Sequence, residues 1–266
     1  MPNENTITKP ISLVGTGRSG TTLLTNVFRR HPDFESYGET ANLIFPSYYH
    51  AERCLPFCKP KINESNSNEY ATSAIRSMMN GVFYDEKEYW FHKPIMLTNI
   101  RNSFDSHDEF STWYWKTFRN LFPNGFTFTV VRKPEQVIPS YMRRWGQSFD
   151  QASQNYLLTC KLILNSSNCI DHVILFEELV HNSKTTLHTL FEKIGCDYHE
   201  GCLEAFNKLH APNTTDGKID SLDDAKSRHL QSDQDDIGEI SNQITEYFDR
   251  LNEKYHLDSK PLSQAS

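Results

Sequence analysis

Residues 11–30 have the sequence ISLVGTGRSGTTLLTNVFRR, which combines a strand, a glycine-rich turn and a helix. The first four positions, Ile11 to Val14, form a short apolar run of the kind found in buried strands. After the turn, the apolar residues of Thr21–Arg30 recur at helical spacing, and Pro32 follows where a helix must stop. The stretch therefore predicts the first β-strand and α-helix of an α/β domain.

Further along the chain, segments with strand character alternate with segments with helical character. We predict helices at 71–84, 108–122, 151–165 and 183–194, the last closed by Gly195, and strands at 95–97, 126–131 and 173–176. A helix beginning at Pro134 would carry Ser140 and Arg144. This alternation predicts a three-layer α/β fold with a central, mostly parallel sheet covered on both faces.

The length favours a single domain over residues 1–266. Residues 50–70 are rich in Pro, Asn, Ser and Glu, so we expect a surface insertion or mobile loop there. Residues 205–266 would form a C-terminal segment and helix that cover a cofactor. Three features, the glycine-rich turn, Lys93 and Arg132, lie beside predicted strand ends, where open parallel sheets bind ligands.

Composition narrows the classes of partner. The formal charge of −7 disfavours nucleic acid, anionic membranes and polyanions, and favours a neutral or cationic small molecule, although solubility alone also explains it. The six cysteines are scattered without zinc-site spacing, which predicts reduced thiols and no metal site. Neither a signal peptide nor a long apolar stretch is visible, so we expect a cytoplasmic protein that does not enter a membrane.

The turn Gly15-x4-Gly20 is half of a nucleotide-triphosphate P-loop. The lysine that would follow is replaced by Thr21, and Arg18 supplies a cation from inside the loop. A kinase or GTPase also needs an acidic magnesium ligand at a strand end, whereas the strand at 126–131 is followed by Arg132 and Lys133. Positive charge there suits a second phosphate. A P-loop small-molecule kinase or NTPase and a non-catalytic nucleotide-binding module remain alternatives.

The segment Gly17-Arg18-Ser19-Gly20-Thr21-Thr22-Leu23 resembles the loop of sulfotransferases that bind the 5′-phosphosulfate of 3′-phosphoadenosine-5′-phosphosulfate (PAPS). It is most similar to the Arg-Ser-Gly-Thr-Thr form of tyrosylprotein and many bacterial members. The resemblance implies a fold like that of P-loop-containing nucleotide hydrolases, with PAPS as cofactor and without a metal. It also implies that residues 17–22 bind the phosphosulfate: Gly17, Arg18, Ser19, Gly20, Thr21 and Thr22.

The same family has a pair of residues that bind the 3′-phosphate, and Arg132 and Ser140, eight residues apart, resemble it. Arg144, one turn after Ser140, matches a further contact of the tyrosylprotein branch, or is a surface arginine. Lys218 lies where the family has a C-terminal basic loop. Phe176 stands where the tyrosylprotein branch has a tyrosine.

The resemblance also suggests catalytic residues. Glu39 lies at the same distance from the loop as the catalytic glutamate of the tyrosylprotein branch, and it would act as the base; the alternative is a loop glutamate that caps a helix. His92 is the competing base. In His92-Lys93-Pro94, similar to the Lys-x-Pro segment of the family, Lys93 would stabilise the bridging oxygen together with Arg18, or would be an exposed lysine.

These features predict a PAPS-dependent sulfotransferase that transfers a sulfuryl group to a hydroxyl or amine of a small, polar or cationic natural product. We expect a monomer or homodimer. A protein-tyrosine sulfotransferase is a further alternative within the family.

Overall fold

The computed structural model of the chain describes residues 9–58, 61–63, 65–83, 87–94, 98–166, 168–207 and 242–255. Its centre is a five-stranded sheet in the order β2-β3-β1-β4-β5, and all the strand pairs are parallel. The strands are β1 (Lys9–Leu13), β2 (Phe34–Gly38), β3 (Tyr89–His92), β4 (Phe126–Val131) and β5 (His172–Leu175). The predicted α/β class and the parallel sheet are confirmed.

Helices cover both faces of this sheet. They are α1 (Thr21–Arg29), α2 (Ala41–Cys58), α3 (Ser67–Phe83), α4 (Thr98–Arg101), α5 (His107–Leu121), α6 (Pro134–Trp145), α7 (Phe149–Leu164), α8 (Phe176–His181), α9 (Ser183–Ile194), α10 (Glu204–Asn207) and α11 (Asn242–Tyr255), with a 3₁₀ turn at Glu200–Leu203. None of the helices in the described ranges has the length and apolar character that crossing a bilayer requires.

The side chains of β1 and β4 alternate between two layers of core. Ile11, Leu13, Phe128 and Val130 pack with α1 and α9 on one face of the sheet. On the other face, one cluster joins Val14 and Trp90 to α2, α3 and α5, and another joins α6, α7 and α11. Strands that are buried on both faces lack a polar side, which explains the continuous apolar runs in the sequence.

The strand order places a topological switch point between β1 and β4. From β1 the chain crosses to β2 on one side, whereas from β4 it continues to β5 on the other. The crevice at such a point, outside the carboxyl ends of the strands, is where doubly wound sheets bind ligands. The glycine-rich turn follows β1 and Arg132 follows β4, so both lie at this crevice.

One prediction about the region between α1 and α5 was wrong in part, and another lies outside the described residues. Strand β3 was not predicted and ends at His92, before Lys93, whereas the strand predicted at 95–97 lies outside the described residues and stays a prediction. The loop expected over 50–70 is helical in its described outer parts, since α2 continues to Cys58 and α3 begins at Ser67. The two helices pack on each other through Phe45, Tyr48 and Ile75, and this packing outweighs a composition typical of loops.

Other boundaries agree closely with the predictions. The strand at 126–131 and the helix from Pro134 are present as expected, and α9 ends at Gly195, which has φ 90°. In contrast, β2 was not predicted. Its sequence FESYG carries no alternating pattern, and it forms at the edge of the sheet by pairing with β3.

Candidate active site

The glycine-rich turn has two residues with positive φ, and one of them leaves no room for a side chain. Gly20 has φ 84°, and a β-carbon placed on it would lie 2.5 Å from Cε2 of Phe176. Arg18 also has a positive φ, 65°, which is uncommon for a residue other than glycine. Strained backbone of this kind persists where the surrounding structure overdetermines it, commonly at functional sites.

The first turn of α1 fits an anionic group. Gly20 is its N-cap, and no side chain caps the helix, so the backbone N–H groups of the first turn point towards the loop. The Ser19 hydroxyl is fully buried in this loop and has no hydrogen-bond partner. A buried polar atom without a hydrogen-bond partner is rare in a folded protein. We take it as evidence that a ligand belongs here, and phosphate or sulfuryl oxygens match its chemistry.

Arg18 connects this loop to α6. Its Nε donates a hydrogen bond to Oγ of Ser140 at 2.9 Å. The carbonyl of Arg18 accepts a hydrogen bond from Nη1 of Arg132 at 2.8 Å. Three residues that are distant in sequence therefore form one polar cluster at the switch point. The Ser140 hydroxyl can still donate its own hydrogen to an incoming anion, because a hydroxyl accepts and donates at once.

Besides the Arg18 carbonyl, three neighbours position Arg132. Its Nε donates to Oε1 of Gln136 at 2.9 Å, and its guanidinium carbon lies 4.4 Å from the ring centroid of Phe176. Tyr156 donates from its hydroxyl to the Arg132 carbonyl at 2.9 Å. The residue is only 8 % exposed. A buried guanidinium with a fixed plane is suited to binding a phosphate through two parallel hydrogen bonds.

The other described residues predicted to bind the cofactor lie around the cluster of Arg18, Arg132 and Ser140. Arg144 lies one turn beyond Ser140 on α6 and is half-buried, without a hydrogen bond or ion pair to the described residues. Thr21 is buried and Thr22 is exposed, both in the first turn of α1, and Gly17 is buried under α6. Lys218 lies outside the described residues, so its proposed role stays a prediction.

Glu39 and Lys93 are brought together by two neighbouring strands. Glu39 follows β2 and Lys93 follows β3, and the Lys93 N–H donates to the Gly38 carbonyl at 2.6 Å. The Nζ of Lys93 lies 3.4 Å from Oε1 of Glu39. The lysine side chain is 6 % exposed and the glutamate 60 %. The carboxylate therefore faces the open side of the site, and the ammonium group lies beneath it.

Burial alters the ionisation of Lys93. Loss of solvent lowers the pKa of its ammonium group, and Arg29 lowers it further, while the neighbouring Glu39 carboxylate opposes the shift. The alternative of an exposed lysine is wrong, since the residue is buried.

His92 does not have the environment of a base for an incoming acceptor. Its ring is fully buried, with Nε2 2.6 Å from Oγ of Ser12 and Nδ1 2.7 Å from Oγ1 of Thr40. Burial lowers its pKa to about 3, so the ring is neutral near pH 7. Both nitrogens are used within the protein, and Thr40 is adjacent to Glu39. His92 therefore ties β3 to β1 and to the segment that carries Glu39.

Sequence reasoning missed Gln136 and Tyr141, and it considered Phe176 only as a substituted tyrosine. Phe176 packs between Gly20 and Arg132, and Gln136 bonds to Arg132. Tyr141 lies 2.8 Å from Thr16 through their hydroxyl oxygens. The spacing of Gln136 four residues before Ser140 was the available signal, because such residues share a helix face. Within the described ranges, no group of three or more His, Cys, Asp or Glu side chains is arranged to hold a metal ion.

Comparison with known proteins agrees with this architecture. The sulfotransferase domain of the Synechococcus PCC 7002 olefin synthase is 16 % identical with a TM-score of 0.63, over 94 % of this chain and 97 % of that domain. The sulfotransferase domain of the curacin biosynthetic pathway is 15 % identical with a TM-score of 0.62, over 92 % and 98 %.

A search of curated protein sequences finds no match. The profile of one family, described as the sulfotransferase family, matches residues 10–200, which are most of the described sheet and its helices. Together with the fold, this match shows that the chain belongs to the sulfotransferase family.

Proposed function

We propose that this protein is a PAPS-dependent sulfotransferase, and that it transfers the sulfuryl group to a hydroxyl or amine of a small acceptor. The observation that carries the proposal is the hydrogen bond of 2.9 Å between Arg18 and Ser140. It joins the anion-binding loop after β1 to the helix after β4, so that one ligand with two anionic groups can bind to both. An adenosine bisphosphate scaffold has that distribution of charge.

The donor half of the site consists of the loop Gly17–Thr22, Arg132, Ser140 and Arg144. PAPS, when bound there, supplies the sulfuryl group. The loop N–H groups and Arg18 would hold the 5′-phosphosulfate, because an open helix N-terminus and a guanidinium both favour anions. Arg132, Ser140 and Arg144 would hold the 3′-phosphate.

The acceptor half of the site consists of Glu39 and Lys93. The exposed Glu39 carboxylate would take the proton of the acceptor hydroxyl or amine, and this position satisfies the geometric requirement for a general base better than His92 does. Lys93 and Arg18 would neutralise charge on the oxygen that leaves sulfur. His92 would act as a positioning residue, since it bonds to Thr40 beside Glu39.

For the acceptor, we propose a small, polar or cationic natural product, because a net charge of −7 attracts cations and repels polyanions. We further propose a cytoplasmic monomer or homodimer that needs no metal, nucleic acid or membrane. The positive residues Arg132 and Lys133 stand where a nucleotide triphosphatase carries its acidic magnesium ligand, which supports the absence of a metal requirement.

Calorimetric titration with 3′-phosphoadenosine-5′-phosphate (PAP) tests the donor site, with ATP and ADP as controls. We expect micromolar binding of PAP, weak binding of ATP, and loss of PAP binding in Arg132→Ala. Arg143→Ala is the matched control, because Arg143 is an exposed arginine of the same helix. A preference for ATP with Mg²⁺, or PAP binding that is unchanged in Arg132→Ala, would overturn the proposal.

Transfer itself is tested by screening hydroxyl and amine compounds with PAPS in the presence and absence of EDTA. We expect PAP and a sulfated product to form in equal amounts, at a rate that EDTA does not change. Cationic, neutral and anionic acceptors of similar size compare the charge classes. Equal rates for all three would contradict the role assigned to the net charge, while leaving the PAPS dependence intact.

A further inference from the structure

Trp145 is a large apolar side chain in an unusual place. It is 50 % exposed, and it is the last residue of α6, the helix that carries Ser140 and Arg144. All four tryptophans belong to the described part of the chain: Trp90 and Trp115 are buried, and Trp113 is half-buried. A single exposed apolar side chain is normal on a protein surface, and it is the contact of this indole with the glycine-rich loop that points to a role.

The indole ring packs directly on the glycine-rich loop. A β-carbon placed on Gly17 would lie 2.9 Å from Cη2 of Trp145 and 3.2 Å from Oη of Tyr141. Gly17 immediately precedes Arg18, whose side chain reaches Ser140. The close approach explains why residue 17 has no side chain. It also places one part of the indole against the loop, while half of the side chain is open to solvent.

The position of this ring is set by further contacts. The Trp145 ring lies 4.5 Å from the ring of Tyr141, centroid to centroid. The Tyr141 hydroxyl oxygen is in turn 2.8 Å from Oγ1 of Thr16, which precedes Gly17. Helix α6 ends at Trp145, since Gly146 has φ 62° and its N–H bonds to the carbonyl of Met142. Trp145 is therefore anchored on the loop and does not extend freely from the surface.

We propose that Trp145 is a shielding residue, which forms an apolar wall beside the transferring sulfuryl group and keeps water away from it. The proposal rests on the proposed function. Arg18, Ser140 and the loop N–H groups bind anions but also attract water, and an apolar wall is the means of excluding it. Trp145 is the exposed aromatic side chain that the structure places on this loop.

The reaction that the wall suppresses is hydrolysis of the donor. A water oxygen would form a bond to sulfur while the bond between sulfur and the 5′-phosphate oxygen breaks. The electron pair of that bond stays with the phosphate, and the products are sulfate, PAP and two protons. Transfer to the acceptor has the same leaving group and differs only in the attacking atom. The ratio of the two reactions therefore reports on access of water.

The experiment compares wild type with Trp145→Ala and Trp145→Phe. Hydrolysis of PAPS without acceptor is measured as the release of PAP and sulfate, and transfer as sulfated product. We expect Trp145→Ala to raise the rate of hydrolysis itself by about tenfold, a small change in barrier, and with it the ratio of hydrolysis to transfer. Trp145→Phe should retain most of the wild-type ratio, because it keeps an aromatic wall. His188→Ala, which removes an exposed ring from α9, is the matched control.

Indole fluorescence gives a second readout that does not depend on turnover. Because Trp145 is the exposed tryptophan, we expect PAP to change the wild-type emission and to leave the emission of Trp145→Phe almost unchanged. Calorimetry should show similar PAP affinity for wild type and Trp145→Phe. An emission change of undiminished size in Trp145→Phe would show that the Trp145 ring does not respond to the bound donor, and it would overturn the proposal.

The failure of this inference is distinguishable from failure of the proposed function. If wild-type protein does not bind PAP, the function itself is wrong. If PAP binds but Trp145→Ala hydrolyses PAPS and transfers sulfate at wild-type rates, only the shielding role is wrong. A folded Trp145→Ala protein with normal PAP affinity, lower transfer and unchanged hydrolysis would also overturn it, since that pattern indicates an acceptor contact.

Discussion

The donor half and the acceptor half of the site differ in how firmly they are built. In the donor half, Arg18, Arg132 and Ser140 are joined by hydrogen bonds of 2.8 and 2.9 Å, and Arg132 is 8 % exposed. In the acceptor half, Glu39 is 60 % exposed and meets Lys93 through a single contact of 3.4 Å. Lys93 is therefore enclosed by protein, whereas most of the Glu39 carboxylate is open to solvent.

This difference suggests that one half of the site binds the nucleotide and the other admits the acceptor. A donor that is the same in every turnover binds more tightly to a preformed site, because the side chains that bind it are already ordered in the folded protein and binding does not have to order them. In the proposed function an acceptor enters and leaves between Glu39 and the loop, which requires an open side. The comparison predicts that substitutions in the acceptor half reduce the rate of transfer, whereas substitutions in the donor half reduce nucleotide affinity or stability.

The largest effect is expected for Glu39→Gln. Loss of a general base typically lowers the rate by about 10²- to 10⁴-fold, while the amide keeps the size of the side chain. We expect this loss in kcat for transfer, measured with PAPS and an acceptor, and an unchanged Kd for PAP. The control is Glu35→Gln on β2, the strand that Glu39 follows. Weaker PAP binding in Glu39→Gln would remove the distinction between the two halves.

A large effect on the donor half is expected for Gly20→Ala. The new methyl group would overlap the Phe176 ring, and φ 84° is unfavourable for alanine. Overpacking of this kind costs about 1–3 kcal/mol, measured as the free energy of unfolding in urea. Gly81→Ala in α3 is the control, since nothing lies within 4 Å of its β-carbon. That substitution should stabilise the protein by about 0.5–1 kcal/mol. Equal changes in the free energy of unfolding for Gly20→Ala and Gly81→Ala would contradict the close packing of Phe176 on Gly20.

The pH dependence of transfer tests the buried lysine. In the proposed mechanism Lys93 acts when protonated, and burial lowers its pKa from 10.5, so activity should fall as pH rises through a value below that of an ordinary lysine. In Lys93→Arg the guanidinium keeps its proton above pH 12 or so. The alkaline decline of kcat should therefore move to higher pH in Lys93→Arg, even if the maximal kcat of this variant is lower than that of wild type. An unchanged decline in Lys93→Arg would show that another group titrates.

The smallest effect is expected for Phe176→Leu. Leucine fills much of the volume between Gly20 and Arg132 but removes the aromatic face under the guanidinium. A cation–π contact contributes from about 0.5–1 kcal/mol at exposed sites to about 2 kcal/mol when desolvated, and leucine keeps the packing under the guanidinium, so PAP affinity should fall by roughly two- to tenfold. Phe176→Tyr, which keeps the ring, should bind PAP with nearly the wild-type Kd. A fall in kcat at constant Kd would assign Phe176 to the acceptor half instead.

The parts of the fold that were predictable have strong local signals. The run 126–131 consists only of Phe, Thr and Val, residue types that favour strands, and α6 begins at Pro134 and ends before Gly146. By contrast, β2 and β3 are short, without alternation, and are stabilised by pairing with each other and with β1. A window of sequence contains no information about a partner strand that lies more than fifty residues away.

The residues of the site also divide into those with a local sequence signal and those that depend on distant parts of the chain. The loop 17–22, Arg132 and Ser140 were found because their spacing within a strand, turn and helix is rigid. The relation of Glu39 to Lys93 depends on the neighbouring positions of β2 and β3, and the choice between Glu39 and His92 depends on burial. Phe176 was considered only as a substituted tyrosine, and its packing against Gly20 could not be inferred from that position.

The sequence by itself determined the strand, the glycine-rich turn and the helix at 11–30, and the positive residue that ends β4. These are local properties, because backbone conformation at a glycine and apolar periodicity act over a few residues. Only the tertiary structure decided that Arg18 meets Ser140, that His92 is enclosed between Ser12 and Thr40, and that Trp145 covers Gly17. Those contacts require packing of distant elements, which burial of the shared core stabilises and no local pattern specifies.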